Sequence, residues 1–382
     1  MSKSVSELPL SRNRLGTRRT LAVHRYGSPG ARPKVYIQAG LHANEVPGML
    51  VARHLLDRLD AADAAGAIQG EIVVVPIANP IGLEQFVLGE AVGRFALDGS
   101  GNFNRDFPDL TEAAAERLQG RLGAEAAANV PLVREALKAA LAGIEPETPV
   151  AALRHALLGL AIDADVVLDL HCDSESLMHL YTGTELWPGA ADLAAQLGAR
   201  AVFLAEVSGG DPFDEACSAV WWKLRDRLGL GRDALGAACL ATTVELRGRS
   251  DVSDELARED SDNLFRFLVR RGVISGQAGP LPPARCEATP LAGVERIVAP
   301  LSGVVAYKAE IGDLVEPGTV VAEIVDPAAE HGDRARTPLR ATTGGLFWSR
   351  STRRVVAAGD IVGSTASPAP LPGRGPKLLT AR

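Results

Sequence analysis

The strongest constraint on the fold is a run of seven residues, Glu71-Ile72-Val73-Val74-Val75-Pro76-Ile77. It is almost entirely apolar and β-branched, the composition of a strand covered on both faces. Val35-Tyr36-Ile37-Gln38 precedes it, and between the two Met49 to Leu59 carries apolar residues at helical spacing. Strand, helix and buried strand in this order predict a βαβ unit and a largely parallel sheet. Asp165-Val166-Val167-Leu168-Asp169-Leu170 reads as another buried strand, and Ala201–Leu204 and Thr242–Leu246 as further ones. Thr111 to Leu160 is rich in Ala and Leu and reads as helices broken near Gly143–Pro149, with a closing helix at Ser261–Arg271.

A chain of 382 residues exceeds one compact core and calls for two domains. Composition changes at Gly272–Pro283, where Gly and Pro cluster. The expected division is a catalytic α/β domain over residues 1–278 and a β domain over 284–372. The second part contains a faint repeat. Ile297–Tyr307 parallels Leu339–Trp348, and each is followed by a turn and another β run. The pattern resembles the lipoyl-type barrel-sandwich, but the stretch Asp326–Ala335, where a carrier lysine would stand, has no Lys. A carrier role is therefore not expected.

Net charge is −7, which argues against a general nucleic-acid binder, because neutralising phosphates needs a basic footprint. No apolar run is long enough to span a membrane, and the polar, arginine-bearing first twenty residues lack a secretory pattern. Cys172, Cys217, Cys239 and Cys286 show no paired spacing, as in a reducing compartment. The cytoplasm is the expected location. A homo-oligomer is compatible with the sequence.

His42-Ala43-Asn44-Glu45 follows the first buried strand, at the entrance to a helix. Imidazole and carboxylate at i and i+3 across such a junction can converge on one cation, and this donor set suits Zn²⁺. His171 ends another buried strand and would be the third ligand, since open α/β sheets gather ligands at the carboxyl ends of their strands. Asp169 shares a strand face with His171 and could orient its imidazole. His54, His155 and His179 are assigned to structural or surface roles.

Two further clusters bear on chemistry. Arg94 and Asn102-Phe103-Asn104-Arg105-Asp106 lie in and around a Gly-rich loop, Asp98–Gly101. Asn104 and Arg105 side by side offer a clamp for a carboxylate. The competing reading is a solvated loop whose Arg pairs with Asp106 or Asp109. Glu245 is a carboxylate inside an apolar run, so either Arg247 or Arg249 neutralises it or it faces a site. Beside a zinc-bound water it would be a general base. Glu175, Glu206 and Glu215 compete for that role. Tyr181 and Tyr307 are both candidates to reach the site.

Gly40-Leu41-His42-Ala43-Asn44-Glu45, Asn104-Arg105-Asp106-Phe107, Asp169-Leu170-His171 and Val244-Glu245-Leu246 together resemble the succinylglutamate desuccinylase/aspartoacylase family, within the zinc carboxypeptidase superfamily. The resemblance covers most of residues 33–270, and the C-terminal β domain is similar to that family's appendage. It implies a zinc-carboxypeptidase-like mixed, largely parallel sheet flanked by helices. It also implies one Zn²⁺ per chain on His42, Glu45 and His171, with Glu245 as catalytic carboxylate. Asn104 and Arg105 would hold a substrate carboxylate, and Arg94 would polarise the scissile carbonyl. Departures are Ala43, where Gly is usual, and the helical insert at 111–160. The implied activity is deacylation of a small N-acylated amino acid or amine. The alternatives are a zinc carboxypeptidase acting on short peptides and a non-catalytic binding protein on this scaffold.

Overall fold

The computed structural model describes residues 2–10, 16–332, 335–375 and 377–379. The tip of the 326–335 hairpin, at 333–334, lies outside the described residues.

Nine strands form the main sheet: β1 (Ser4–Pro9), β2 (Thr20–Tyr26), β3 (Lys34–Ala39), β4 (Glu71–Val75), β5 (Val166–Asp173), β6 (His179–Gly183), β7 (Ala201–Ala205), β8 (Leu240–Gly248) and β9 (Ala288–Pro290). Their order is β1-β2-β4-β3-β5-β8-β6-β7-β9. The pairs β3/β4, β3/β5, β5/β8, β6/β7 and β7/β9 are parallel, whereas β1/β2, β2/β4 and β6/β8 are antiparallel. The sheet is thus mixed and largely parallel, as the buried apolar runs imply.

Helices cover both faces. On one side pack α2 (Thr111–Leu118), α3 (Ala126–Ala142), α4 (Pro149–Ala161) and α6 (Phe213–Arg227); on the other α1 (Pro47–Ala64), α5 (Ala191–Leu197) and α7 (Asp254–Arg270). The strand period of two divides the side chains between these layers. Tyr36, Val73, Val75 and Val167 join the first core; Val35, Ile37, Val74 and Leu168 join the second. Each such side chain, fully withdrawn from water, contributes about 1.5–3 kcal/mol. The helical insert is therefore part of the core, with Leu118, Val133, Leu137 and Leu153 buried in the first of these clusters. No described helix is long and apolar enough to cross a membrane.

After α7 the chain returns to the main sheet as the short strand β9 and then builds two small antiparallel sheets. One contains Val294–Val298, Ile361–Ala366 and Gly345–Arg350, and it also takes Glu175–Ser176 from the first part of the chain. The other contains Gly303–Tyr307, Val320–Val325 and Arg336–Arg340. A separate apolar cluster, Phe203, Leu291, Val294, Trp348 and Leu378, joins these strands to β7.

Candidate metal centre and cavity

The loop from β3 to α1 is short and tightly seated. Gly40 has φ of +70°, a left-handed conformation that costs glycine little, and it turns the chain out of the sheet. At the other end Pro47 opens α1 in the first helical turn, where its missing N–H costs nothing. A Cβ on Gly48 would meet Leu170 and Ala39 at 3.0 and 3.3 Å, so α1 begins hard against β3 and β5. Ala43 does not have positive φ; it packs against Gly82 and Gly93, so a side chain there is accommodated.

Between these fixed points His42 and Glu45 turn inward, at 3 % exposure each, and meet His171 at 2 %. Ligand atoms of the three lie within 4.8 Å of one another. Glu45 Oε1 is 3.1 Å from His42 Nδ1, and its Oε2 is 2.8 Å from His171 Nδ1.

The outer nitrogens each face an acceptor. Asn102 Oδ1 accepts the backbone N–H of Asn104 at 2.9 Å, which fixes that atom as oxygen. His42 Nε2, 2.8 Å from the same oxygen, must therefore donate its proton there. His171 Nε2 donates to Asp169 Oδ2 at 2.9 Å, while Asp169 Oδ1 accepts from Gln38 Nε2 at 2.9 Å. Both rings consequently turn Nδ1 toward the Glu45 carboxylate. Two nitrogens and a carboxylate facing one another, each ring held by an acceptor behind it, form a donor set suited to a divalent cation. For His171 burial would lower the imidazole, but Asp169 and Glu45 outweigh it and hold the ring well above its ordinary value. For Glu45 burial would raise the carboxyl, but the adjoining His42 and His171 outweigh it and hold it well below. For His42, burial and then Arg94 push the imidazole down to about 4, so it is neutral at pH 7.

Glu245 lies beside this cluster because β8 pairs with β5 in parallel, with Glu245 opposite His171. Its Oε2 is buried with no hydrogen-bond partner among the described residues. Neither nearby arginine neutralises it: Arg247 is taken by Asp260, and Arg249 donates to Thr352 Oγ1. Burial, then the charge of Glu45, raises the Glu245 carboxyl well above the usual range. The other carboxylates are placed differently. Glu175 is bound by Arg350 and Arg354, Glu206 is exposed, and Glu215 accepts the N–H of Ser208 at the far side of the cavity.

Arg94 lies along the cluster's open side, donating Nη1 to Glu45 Oε1 at 2.7 Å, with its side chain 47 % exposed. Asn104 is buried and used at both ends: Oδ1 accepts the N–H of Phe213 at 2.8 Å, and Nδ2 lies 3.3 Å from His171 Nε2. Arg105 lines the cavity and makes no ion pair among the described residues; Asp106 approaches Arg154 at 3.8 Å and Asp109 pairs with Lys223. The cavity has a volume of about 460 Å³. Tyr181 faces it; Tyr307 does not, since its hydroxyl donates to Val362 O at 2.8 Å between the guanidiniums of Arg350 and Arg354. His54 bonds Asp254, His155 reaches Leu141 O, and His179 packs among Tyr181, Phe203 and Trp348.

Several contributors had no sequence signal of their own. Asn102, sixty residues from His42, sets its tautomer, and the insert reaches the site through Arg154, whose Nη2 donates to Asn102 O at 2.8 Å. Arg296, Arg374 and Asp214 also line the cavity.

Fold and site thus define an α/β protein with a buried, metal-competent His/Glu/His cluster at the carboxyl ends of parallel strands. Residues 31–133 match the model of the succinylglutamate desuccinylase/aspartoacylase catalytic domain. A Shewanella amazonensis protein of that family has a similar structure: TM-score 0.81 and 26 % identity over 95 % of this chain and 98 % of that one. The Shewanella frigidimarina family protein shares the fold at TM-score 0.81 with 24 % identity, covering 96 % and 97 %. The ectoine utilization protein EutE of Ruegeria pomeroyi shares it at TM-score 0.66 with 16 % identity, covering 95 % and 94 %. No curated protein matches the sequence.

Proposed function

We propose that the chain hydrolyses the amide bond of a small N-acylated amino acid or related amine, with zinc held by His42, Glu45 and His171. The observation that carries this reading is Glu245 Oε2, buried and without a hydrogen-bond partner among the described residues, beside two imidazoles that both turn Nδ1 inward. A zinc ion there would supply Lewis acidity and a water acidified to a pKa of about 7. Glu245 takes the proton from the attacking water and returns it to the departing amine; its raised carboxyl suits that traffic. Arg94, beside the cluster and open to the cavity, supports negative charge on the carbonyl oxygen. Arg105 supplies the positive charge for a substrate carboxylate, and Asn104 fixes the loop that presents it. A cavity of about 460 Å³, closed in part by the C-terminal strands, fits a small acylated amine better than a peptide.

Metal analysis of purified protein should find one zinc per chain, and a chelator should abolish turnover that added zinc restores. Zinc-loaded protein is then offered N-acetyl, N-succinyl and longer N-acyl amino acids and diamines, against free and C-terminally blocked peptides. Hydrolysis of the small amides alone supports the proposal. Preference for peptides, or full turnover after metal removal, overturns it.

A further inference from the structure

Residues 84–102 build two small β-hairpins at the mouth of the cavity, and their outer face is apolar. Phe86–Val87 pairs with Glu90–Ala91, and Phe95–Ala96 with Gly101–Asn102. The Gln85 side chain clips the two together: Nε2 donates to Phe95 O at 2.7 Å, and Oε1 accepts the N–H of Leu97 at 3.0 Å. Ala96 is buried in the first core, so the strand period turns its neighbours Phe95 and Leu97 outward, at 37 % and 62 % exposure. The first hairpin adds Phe86 and Val87, both exposed, and Leu88, which is fully open to solvent.

Scattered apolar residues on a surface need no explanation, but five within twelve residues do. Leu88 is the least expected of them. With Gly89 it forms the hairpin tip, at φ of +52° and +87°. A two-residue turn with both residues left-handed favours Asn-Gly or Asp-Gly, so a leucine there is unfavourable in conformation as well as in exposure. Neither the turn nor solubility selects it; a contact outside the chain does. The five side chains expose on the order of 600 Å², the upper end for a monomer's largest patch and near the ~800 Å² per partner of a standard interface.

The patch suits a twin of itself. Gly89, Gly99 and Gly101 lie beside the apolar knobs, and a Cβ on any of them would meet nothing within 4 Å. A two-fold contact sets each copy's knobs against the other's hollows. The rim offers opposite charges. Arg19 pairs with Glu84 and so brings the exposed Arg18 beside the hairpin base, while Glu90 is exposed near the tip. Neither Arg18 nor Glu90 has an ion pair among the described residues. An anionic lipid surface fits poorly, because Arg94 is the only cation in residues 84–101 and its Nη1 is held by Glu45.

We propose that the face from Phe86 to Leu97 is the interface of a two-fold dimer of this chain, and that the second copy walls the cavity mouth. Phe95 belongs both to the patch and to the cavity lining. The segment held by the interface also carries Arg94, which bonds Glu45, and Asn102, which accepts from His42.

The test is sedimentation of the full chain over micromolar concentrations as wild type, Leu88→Asn, the double variant Phe86→Ser/Leu97→Ser, and Leu314→Asn. Leu88→Asn removes the apolar tip while giving the turn a residue it favours, so loss of fold does not account for its effect. Leu314, 83 % exposed on the C-terminal strands, is the control. Wild type and Leu314→Asn should be dimers. Leu88→Asn should raise the dimer dissociation constant by about 10–30-fold, the effect of an interface hot spot, and the double variant should be monomeric with an unchanged circular dichroism spectrum. A wild-type monomer overturns the proposal, and if that monomer floats with phosphatidylglycerol vesicles the face is a lipid contact instead. A wild-type dimer whose dissociation constant is unchanged in Leu88→Asn and in the double variant also overturns it, since its interface then lies elsewhere. No reading here uses turnover, so the outcome is independent of the deacylase proposal.

Discussion

Replacing Asp169 by Ala tests the architecture of the metal centre without touching a ligand. Asp169 is fully buried, and its two oxygens accept from His171 Nε2 and Gln38 Nε2, each at 2.9 Å. Truncation orphans both donors. Gln38 cannot turn to compensate, because its Oε1 already accepts the Tyr36 hydroxyl at 2.8 Å. Each buried orphan costs about 1–3 kcal/mol, so metal-free protein should lose about 2–6 kcal/mol. For a chain of this size that is a fall in Tm of about 1 °C per kcal/mol. The zinc effect is separate. With no acceptor behind it, the His171 ring loses its fixed tautomer and orientation, and affinity should fall about 10–100-fold. Chelator competition measures the second quantity, and thermal melts in excess chelator measure the first. Asp169→Asn should lie between: its oxygen can serve His171 only by turning its amide N–H toward the Gln38 donor. Zinc affinity unchanged in Asp169→Ala, with the melt lowered, would show that Asp169 is a structural polar group and that the orienting argument is wrong.

Two other variants follow from the same site. Glu245→Gln should retain one zinc per chain and lower kcat by about 10²–10⁴-fold; near wild-type turnover would remove Glu245 from the chemistry. Asp214, buried at the cavity edge, is pushed up to about 7 by burial, then by Glu215 and Asp169. A carboxyl raised in the folded state costs nothing below its unfolded value of about 4, and the cost grows as pH rises toward 7. Asp214→Asn lacks that cost, so in chelated protein its stability relative to wild type should rise by about 2–3 kcal/mol between pH 5 and pH 8. A pH-independent difference in melts would show that Asp214 stays ionised.

What the sequence reveals about this molecule follows from which interactions are local. Buried parallel strands announce themselves because both faces must be apolar, so Val35–Gln38 and Val166–Leu170 were readable, and with them the edge on which His42 and His171 meet. The edge strand Ser4–Pro9 is mostly exposed and polar, and β6, with the sequence His-Leu-Tyr-Thr-Gly, is too short and mixed to show alternation; neither was foreseen. Nor was α6, where Cys217, Val220, Trp221 and Leu224 are buried among Asp, Glu, Lys and Arg. The β run read through Ile77 ends at Val75, since Pro76 has no N–H to pair, and the closing helix begins seven residues before Ser261, where Ser253 Oγ caps the N–H of Leu256. The choice between a neutralised and a free Glu245 could not be made from sequence, because it depends on where Arg247 goes. Arg247 has φ of +61° at the irregularity between Glu245 and Gly248, and that twist carries its side chain to Asp260 on α7. Interactions set by periodicity are readable in one dimension; those set by which of several arginines finds which carboxylate require the fold.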